Sequence, residues 1–151
     1  MAFIPRDAKW YIAEIVQEIR VDGETSNVVH INTVLVRADS PDDAHAKALD
    51  LGRESEISYS NTQGRMVSIR FRGLADLYVV HDGLEHGSEL LYRERIGLTE
   101  AEVQRLVTEK SQLAVFRDIE PSSGPNYMPS DVADGLRKAG LWEGDAVEPD
   151  P

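Results

Sequence analysis

From Lys9 to Val21 the chain alternates: Tyr11, Ala13, Ile15, Ile19 and Val21 fall on one side of an extended segment, and Trp10, Ile12, Glu14, Val16, Glu18 and Arg20 on the other. This two-residue period predicts a β-strand with one core face and one face that is apolar near its start and charged near its end. Asp22 to Asn27 is turn chemistry. Val28 to Ala38 then returns as a second strand, with Val34 and Val36 alternating with Leu35 and Arg37, so the two make a long hairpin. Ile57 to Tyr59 is a short strand, followed by the turn Asn61-Thr62-Gln63-Gly64, in which Gly64 supplies a positive φ. In Met66 to Gly73, Val67, Ile69 and Phe71 oppose Ser68, Arg70 and Arg72. Leu77 to Val80 and Glu89 to Ile96 are further strand candidates.

The period changes at Asp39-Ser40-Pro41. Ser40 is placed to cap a helix over 41–53, Pro41 fits its first turn, and Asp42 and Asp43 sit where the helix dipole favours carboxylates, so capping explains this acidic pair better than catalysis does. Pro41, Ala44, Ala48 and Leu51 share a face, the small alanines permit close approach to a sheet, and Gly52 is a candidate left-handed terminator. Thr99 with Glu102 reads as a capping box and Leu98 with Val103 as a hydrophobic staple, which start a second helix over about 100–112. Val103, Leu106 and Val107 form its stripe, expected to be buried against the sheet or a partner. After the loop chemistry of PSSGPNYMPS comes a short helix over about 131–139, capped by Ser130 and closed by Gly140, with Leu136 meeting Leu141.

These elements predict an α+β fold: an antiparallel sheet of about five strands packed on the helix 41–53. Residues 1–119 read as one domain, and 120–151 as a Pro/Gly-rich linker, the short helix and an acidic tail expected to be mobile. A chain of 151 residues is long enough to bury a core.

Composition narrows the chemistry. The absence of cysteine removes disulfides, thiolate metal sites and thiol catalysis. The formal charge of -11 disfavours a phosphate backbone as partner and suits a basic protein. No apolar run reaches membrane-spanning length and the N-terminus lacks a signal-like pattern, so the expectation is a soluble cytoplasmic protein without a membrane association.

Candidate sites are sparse. Arg70 and Arg72 share a strand face, and Arg93 and Arg95 would share another; together they could grip a carboxylate or phosphate, unless they pair with Glu14, Glu18 or Glu94. His81, Asp82 and His86 offer a weak loop site for a metal ion, against the simpler reading of solvated histidines. Trp10, Tyr11 and Trp142 are candidate interface aromatics. There is no nucleophile elbow, P-loop or dinucleotide fingerprint, and no cofactor is expected.

Trp10-Tyr11, the corner Arg37-Ala38-Asp39-Ser40-Pro41-Asp42-Asp43-Ala44 with Lys47-Ala48 and Gly52, then Tyr59, Gly64 and Phe71-Arg72-Gly73-Leu74-Ala75-Asp76-Leu77 carry a resemblance. Over about Lys9 to Arg95 the chain resembles the bacterial family of small proteins known as domain-of-unknown-function family 4288. The resemblance implies a compact bacterial α+β domain and no catalytic residue. The expected role is a non-catalytic protein-interaction or regulatory module, of immunity or antitoxin-like type or a homodimer through a sheet edge or the Thr99 helix. The alternative is an anion-binding protein or enzyme using the arginine face or the His81 and His86 loop.

Overall fold

The computed structural model describes residues 3–120 and 123–141. They fall into two compact units, one formed by the chain up to Leu90 together with the stretch from Gly124, the other by Leu91–Ser123.

In the first unit, strands β1 (Trp10–Val21), β2 (Val28–Arg37), β3 (Ile57–Ser60) and β4 (Met66–Val79) form one antiparallel sheet in the order β2-β1-β4-β3. The most buried strand is central. Tyr11, Ala13, Ile15, Ile19 and Val21 of β1 are all buried, and on its other face Ile12 is buried too. The hairpin partner β2 pairs without interruption from Trp10 opposite Arg37 to Ile19 opposite Val28.

Helix α1 (Pro41–Glu54) covers one half of the inner face. Its start is built as the residues predict: the Ser40 hydroxyl accepts from the Asp43 N–H at 3.1 Å, and the Asp43 carboxylate accepts from the Asp39 N–H at 3.1 Å. The two bonds satisfy two backbone donors, although the second comes from the residue before the cap and so does not close a capping box. The buried stripe is Ala44, Ala48 and Gly52, while Leu51 is exposed. Gly52 is therefore no terminator. It lies inside the helix, and a Cβ there would sit 2.4 Å from the Phe71 ring. Glycine is needed because α1 and β4 approach too closely for a methyl group, and the helix runs on to Glu54 with Ser55 as its cap.

The sheet has four strands where about five were expected. Met66–Gly73 and Leu77–Val79 are parts of the single strand β4, whose alternation is broken twice, and Val80 lies just past its end. Between Phe71 (opposite Gln17) and Gly73 (opposite Val16) the residue Arg72 is extra, and between Leu74 (opposite Ile15) and Asp76 (opposite Glu14) Ala75 is extra. Each bulge shifts the side-chain parity by one. The first brings Leu74 to the inner face, and the second restores Leu77 and Val79 to it, so all three join Phe71 against the α1 core. Gly73, at φ 133°, sits between the bulges in a backbone region that side chains rarely adopt. The predicted strand Glu89–Ile96 is irregular. Its apolar residues are consecutive and then give way to three charges, so neither face of an extended segment would be consistently apolar.

The other half of the inner face, around Ile19, Val21 and Val67, is closed by the C-terminal segment, with Tyr59 and Tyr127 packed against it. Asn61 is buried and holds this segment. Its Oδ1 accepts from the N–H groups of Gln63 and Arg65, its Nδ2 donates to the Asn126 carbonyl at 2.9 Å, and its backbone bridges Pro129. The Tyr59 hydroxyl donates to the Tyr127 carbonyl. Helix α3 (Ser130–Lys138) follows, with Ala133 buried. Pro129 precedes it without a side-chain cap, so Ser130 is its first residue and does not cap it. Its end is a Schellman motif: the Leu141 N–H donates to the Leu136 carbonyl at 2.9 Å, the Gly140 N–H to that of Arg137 at 3.0 Å, and Gly140 has φ 70°.

In the second unit, α2 (Glu100–Leu106) shows the full Thr99–Glu102 capping box. It ends well short of residue 112: Val107 is extended, and Lys110–Gln112 forms a separate 3₁₀ turn. The β-branched pair Val107-Thr108 is a poor continuation for so short a helix. No residue of α2 is buried, and Val103, Leu106 and Val107 are exposed in the single chain, where their stripe was expected to be buried against the sheet or a partner.

Candidate functional site

The outer face of the sheet carries the arginines. Arg70 stands opposite Glu18 in the β1–β4 register, and Arg72 is the bulged residue beside it. The Glu18 carboxylate, 16% exposed, gathers Arg20 at 3.2 Å and Arg72 at 3.5 Å and accepts from the Asn27 amide at 2.6 Å. That hydrogen bond, followed by the charges of Arg20 and Arg72, holds the Glu18 carboxyl below its ordinary range against the opposing effect of burial. The arginine face thus contains its own anion. Arg93 and Arg95 lie in the second unit, outside any strand, so the two arginine pairs do not share neighbouring strands.

The histidine loop is held by its own polar groups. The Ser88 hydroxyl accepts from the Glu85 N–H and donates to the Gly83 carbonyl, while the Asp82 carboxylate accepts from the Glu89 N–H at 3.3 Å. His81 stacks on Phe3 with ring centroids 6.3 Å apart. Among the described residues, no group of three or more His, Asp or Glu side chains is placed to hold a metal ion.

Of the aromatic candidates, Tyr11 is a core residue and Trp10 is half-buried with the Arg37 guanidinium 5.9 Å from its ring centre. Trp142 lies outside the described residues.

The feature that periodicity alone did not single out is the place of β2 at the border of the sheet, where among the described residues it pairs with β1 alone. Its outward positions Val29, Ile31 and Leu35 are 52%, 60% and 46% exposed. Reading Val28 to Ala38 as a strand locates these side chains on the outer face, but only the strand order puts them at the sheet's border. A natural border strand is usually blunted by lysine, proline or a bulge. β2 has none of these: VVHINTVLVR pairs with β1 in unbroken register. The second unit also exposes Ile96, Val107, Val115 and Ile119.

No helix among the described residues is long and apolar enough to cross a membrane. No curated protein and no solved structure matches the chain. The family described as a domain of unknown function, DUF4288, matches residues 10–103, a stretch that contains the whole sheet, the Ser40 corner, α1 and the double bulge and leaves out the C-terminal clasp. On that match, the chain belongs to the DUF4288 family.

Proposed function

We propose that this protein is a non-catalytic protein-interaction module of the bacterial cytoplasm, and that the border of β2 is its docking surface. The observation that carries the reading is the exposure of Val29, Ile31 and Leu35 along a border strand that has no lysine, proline or bulge. Unpaired strand borders are templates for main-chain pairing, and apolar side chains beside them add affinity. The exposed apolar residues of the second unit give further support. The charge of -11 adds long-range attraction for a basic protein, the setting of an immunity or antitoxin-like role. The anion-binding alternative is weaker, because Glu18 already neutralises part of the arginine face.

The test uses immobilised full-length protein and lysate of the native host at low salt. Wild-type bait is expected to retain a protein that Ile31→Lys bait releases. Equal retention by both baits, or none by either, overturns the reading. A thermal-shift panel of divalent metals and anionic metabolites tests the alternative, since a ligand that binds the folded state raises the melting point.

A further inference from the structure

Ala38 donates its backbone N–H to the Lys9 carbonyl at 2.9 Å. In an antiparallel ladder the direction of these groups alternates, so the even-numbered residues of β2 turn toward β1 and the odd-numbered ones turn away. The Arg37 carbonyl agrees: it points outward and accepts from the Lys47 ammonium at 3.0 Å. Val29, Ile31, Thr33 and Leu35 therefore present their N–H and C=O groups to the open side, and Lys47 closes the far end of that row.

The stretch from Val28 to Val36 contains no carboxylate, lysine or arginine. A charged strand would find no ion-pair partner within that stretch itself, whereas an uncharged, β-branched strand would meet side chains of its own kind. The charged groups stand beside it, Glu14 opposite Thr33 and Glu18 opposite Val29 on β1, and Lys47, Asp50 and Glu54 of α1 around Leu35 to Arg37. This chain owns such a strand. A two-fold axis makes each residue pair reciprocal. With the axis perpendicular to the sheet and passing through Thr33, Thr33 faces Thr33 of the second copy, and Ile31 faces Leu35 in both directions. All of these residues point their backbone groups outward, so the hydrogen-bonding pattern and the apolar pattern are satisfied by one register. That register also keeps the inner faces of both sheets on the same side, as a continuous sheet requires.

We propose that the β2 border binds a second copy of this chain, joining the two four-stranded sheets into one antiparallel sheet centred on Thr33. This deepens the reading of β2 as the docking surface and rests on it. A foreign strand at the same border is the competing outcome.

The absence of cysteine makes a direct test possible. A hydrogen-bonded antiparallel pair places its Cα atoms about 5.5 Å apart, within the roughly 4.4–6.8 Å that a disulfide spans. Purified full-length Thr33→Cys is expected to form a covalent dimer on mild oxidation, well ahead of Thr25→Cys in the exposed β1–β2 turn. Thr33→Pro removes an outward N–H without touching the β1 ladder, and should raise the dimer dissociation constant by roughly tenfold or more in sedimentation velocity while the circular dichroism stays unchanged. Wild-type protein that remains monomeric at the highest soluble concentration overturns the proposal. So does a dimer that survives Thr33→Pro, or equal cross-linking of the two cysteine variants. If the purified chain is monomeric while the lysate experiment yields an edge-dependent foreign protein, this inference falls and the interaction reading stands. If neither gives binding, both fall.

Discussion

A methyl group at position 52 sets two effects against each other. In an open helix, Gly→Ala stabilises by about 0.8–1 kcal/mol because the backbone loses less freedom on folding. Here the new Cβ would lie 2.4 Å from the Phe71 ring. Overpacking of that kind costs about 1–3 kcal/mol. Gly52→Ala should therefore lower the urea midpoint, and adding Phe71→Leu should recover part of the loss, a coupling that a double-mutant cycle measures. Asn61 gives the polar counterpart. Asn61→Ala strands two backbone donors and the Asn126 carbonyl in a buried site, and is expected to cost about 2–4 kcal/mol in equilibrium unfolding. Neither role was legible from residue identity. Asn61 and Gly64 announce a turn, which the structure has, but the far end of the Asn61 hydrogen bonds is supplied 65 residues later. Gly52 at the end of an apolar stripe looks like a terminator until the sheet is placed beneath it.

Among the elements, β4 shows how a strand can be written with a broken period. Phe71-Arg72-Gly73-Leu74-Ala75-Asp76-Leu77 reads as the end of one strand and the start of another because two extra residues each reverse the alternation. The resulting bend lets one strand serve both core clusters, Val67 and Ile69 in one and Phe71, Leu74, Leu77 and Val79 in the other. Gly73→Val forces a β-branched residue to φ 133° and should destabilise by about 1–3 kcal/mol, read as a lower melting temperature. The hairpin β1–β2 and the α1 start were fully legible, since strict alternation and capping are local signals. The start of α2 at the Thr99–Glu102 capping box was legible in the same way, but its C-terminal end was not, because nothing in the chain told how little of its stripe is buried.

At the scale of the molecule, charge and association pull in opposite directions. Two copies carrying -11 each repel at long range, yet the centre of the proposed shared border, from Val29 to Leu35, has no charged residue of its own. Raising ionic strength should therefore tighten the dimer, measured as a falling dissociation constant in sedimentation equilibrium, whereas a basic partner would be released by salt. Acid acts through particular carboxyls. Glu18 is held below its ordinary value of 4.5 by Asn27 and its arginines. A depressed folded pKa gives stability that is present above the unfolded value and lost as pH falls through the folded one. The melting-temperature gap between wild type and Glu18→Gln should accordingly be constant near neutrality and close as pH falls below that value. Comparing the two proteins at each pH cancels the general relief of repulsion on protonation.

What the residues determined by themselves was the local grammar: the hairpin, the Ser40 corner, the Thr99–Glu102 capping box, the Gly140 closure and the α+β class, because each depends on periods and caps spanning a few residues. Only the tertiary structure decided that β2 is a border and β1 a centre, that residues 124–141 complete the core, and that the arginine face carries its own counter-ion. Those facts depend on strand order and on partners distant in sequence, and the alternation of a strand is the same at the middle of a sheet as at its border.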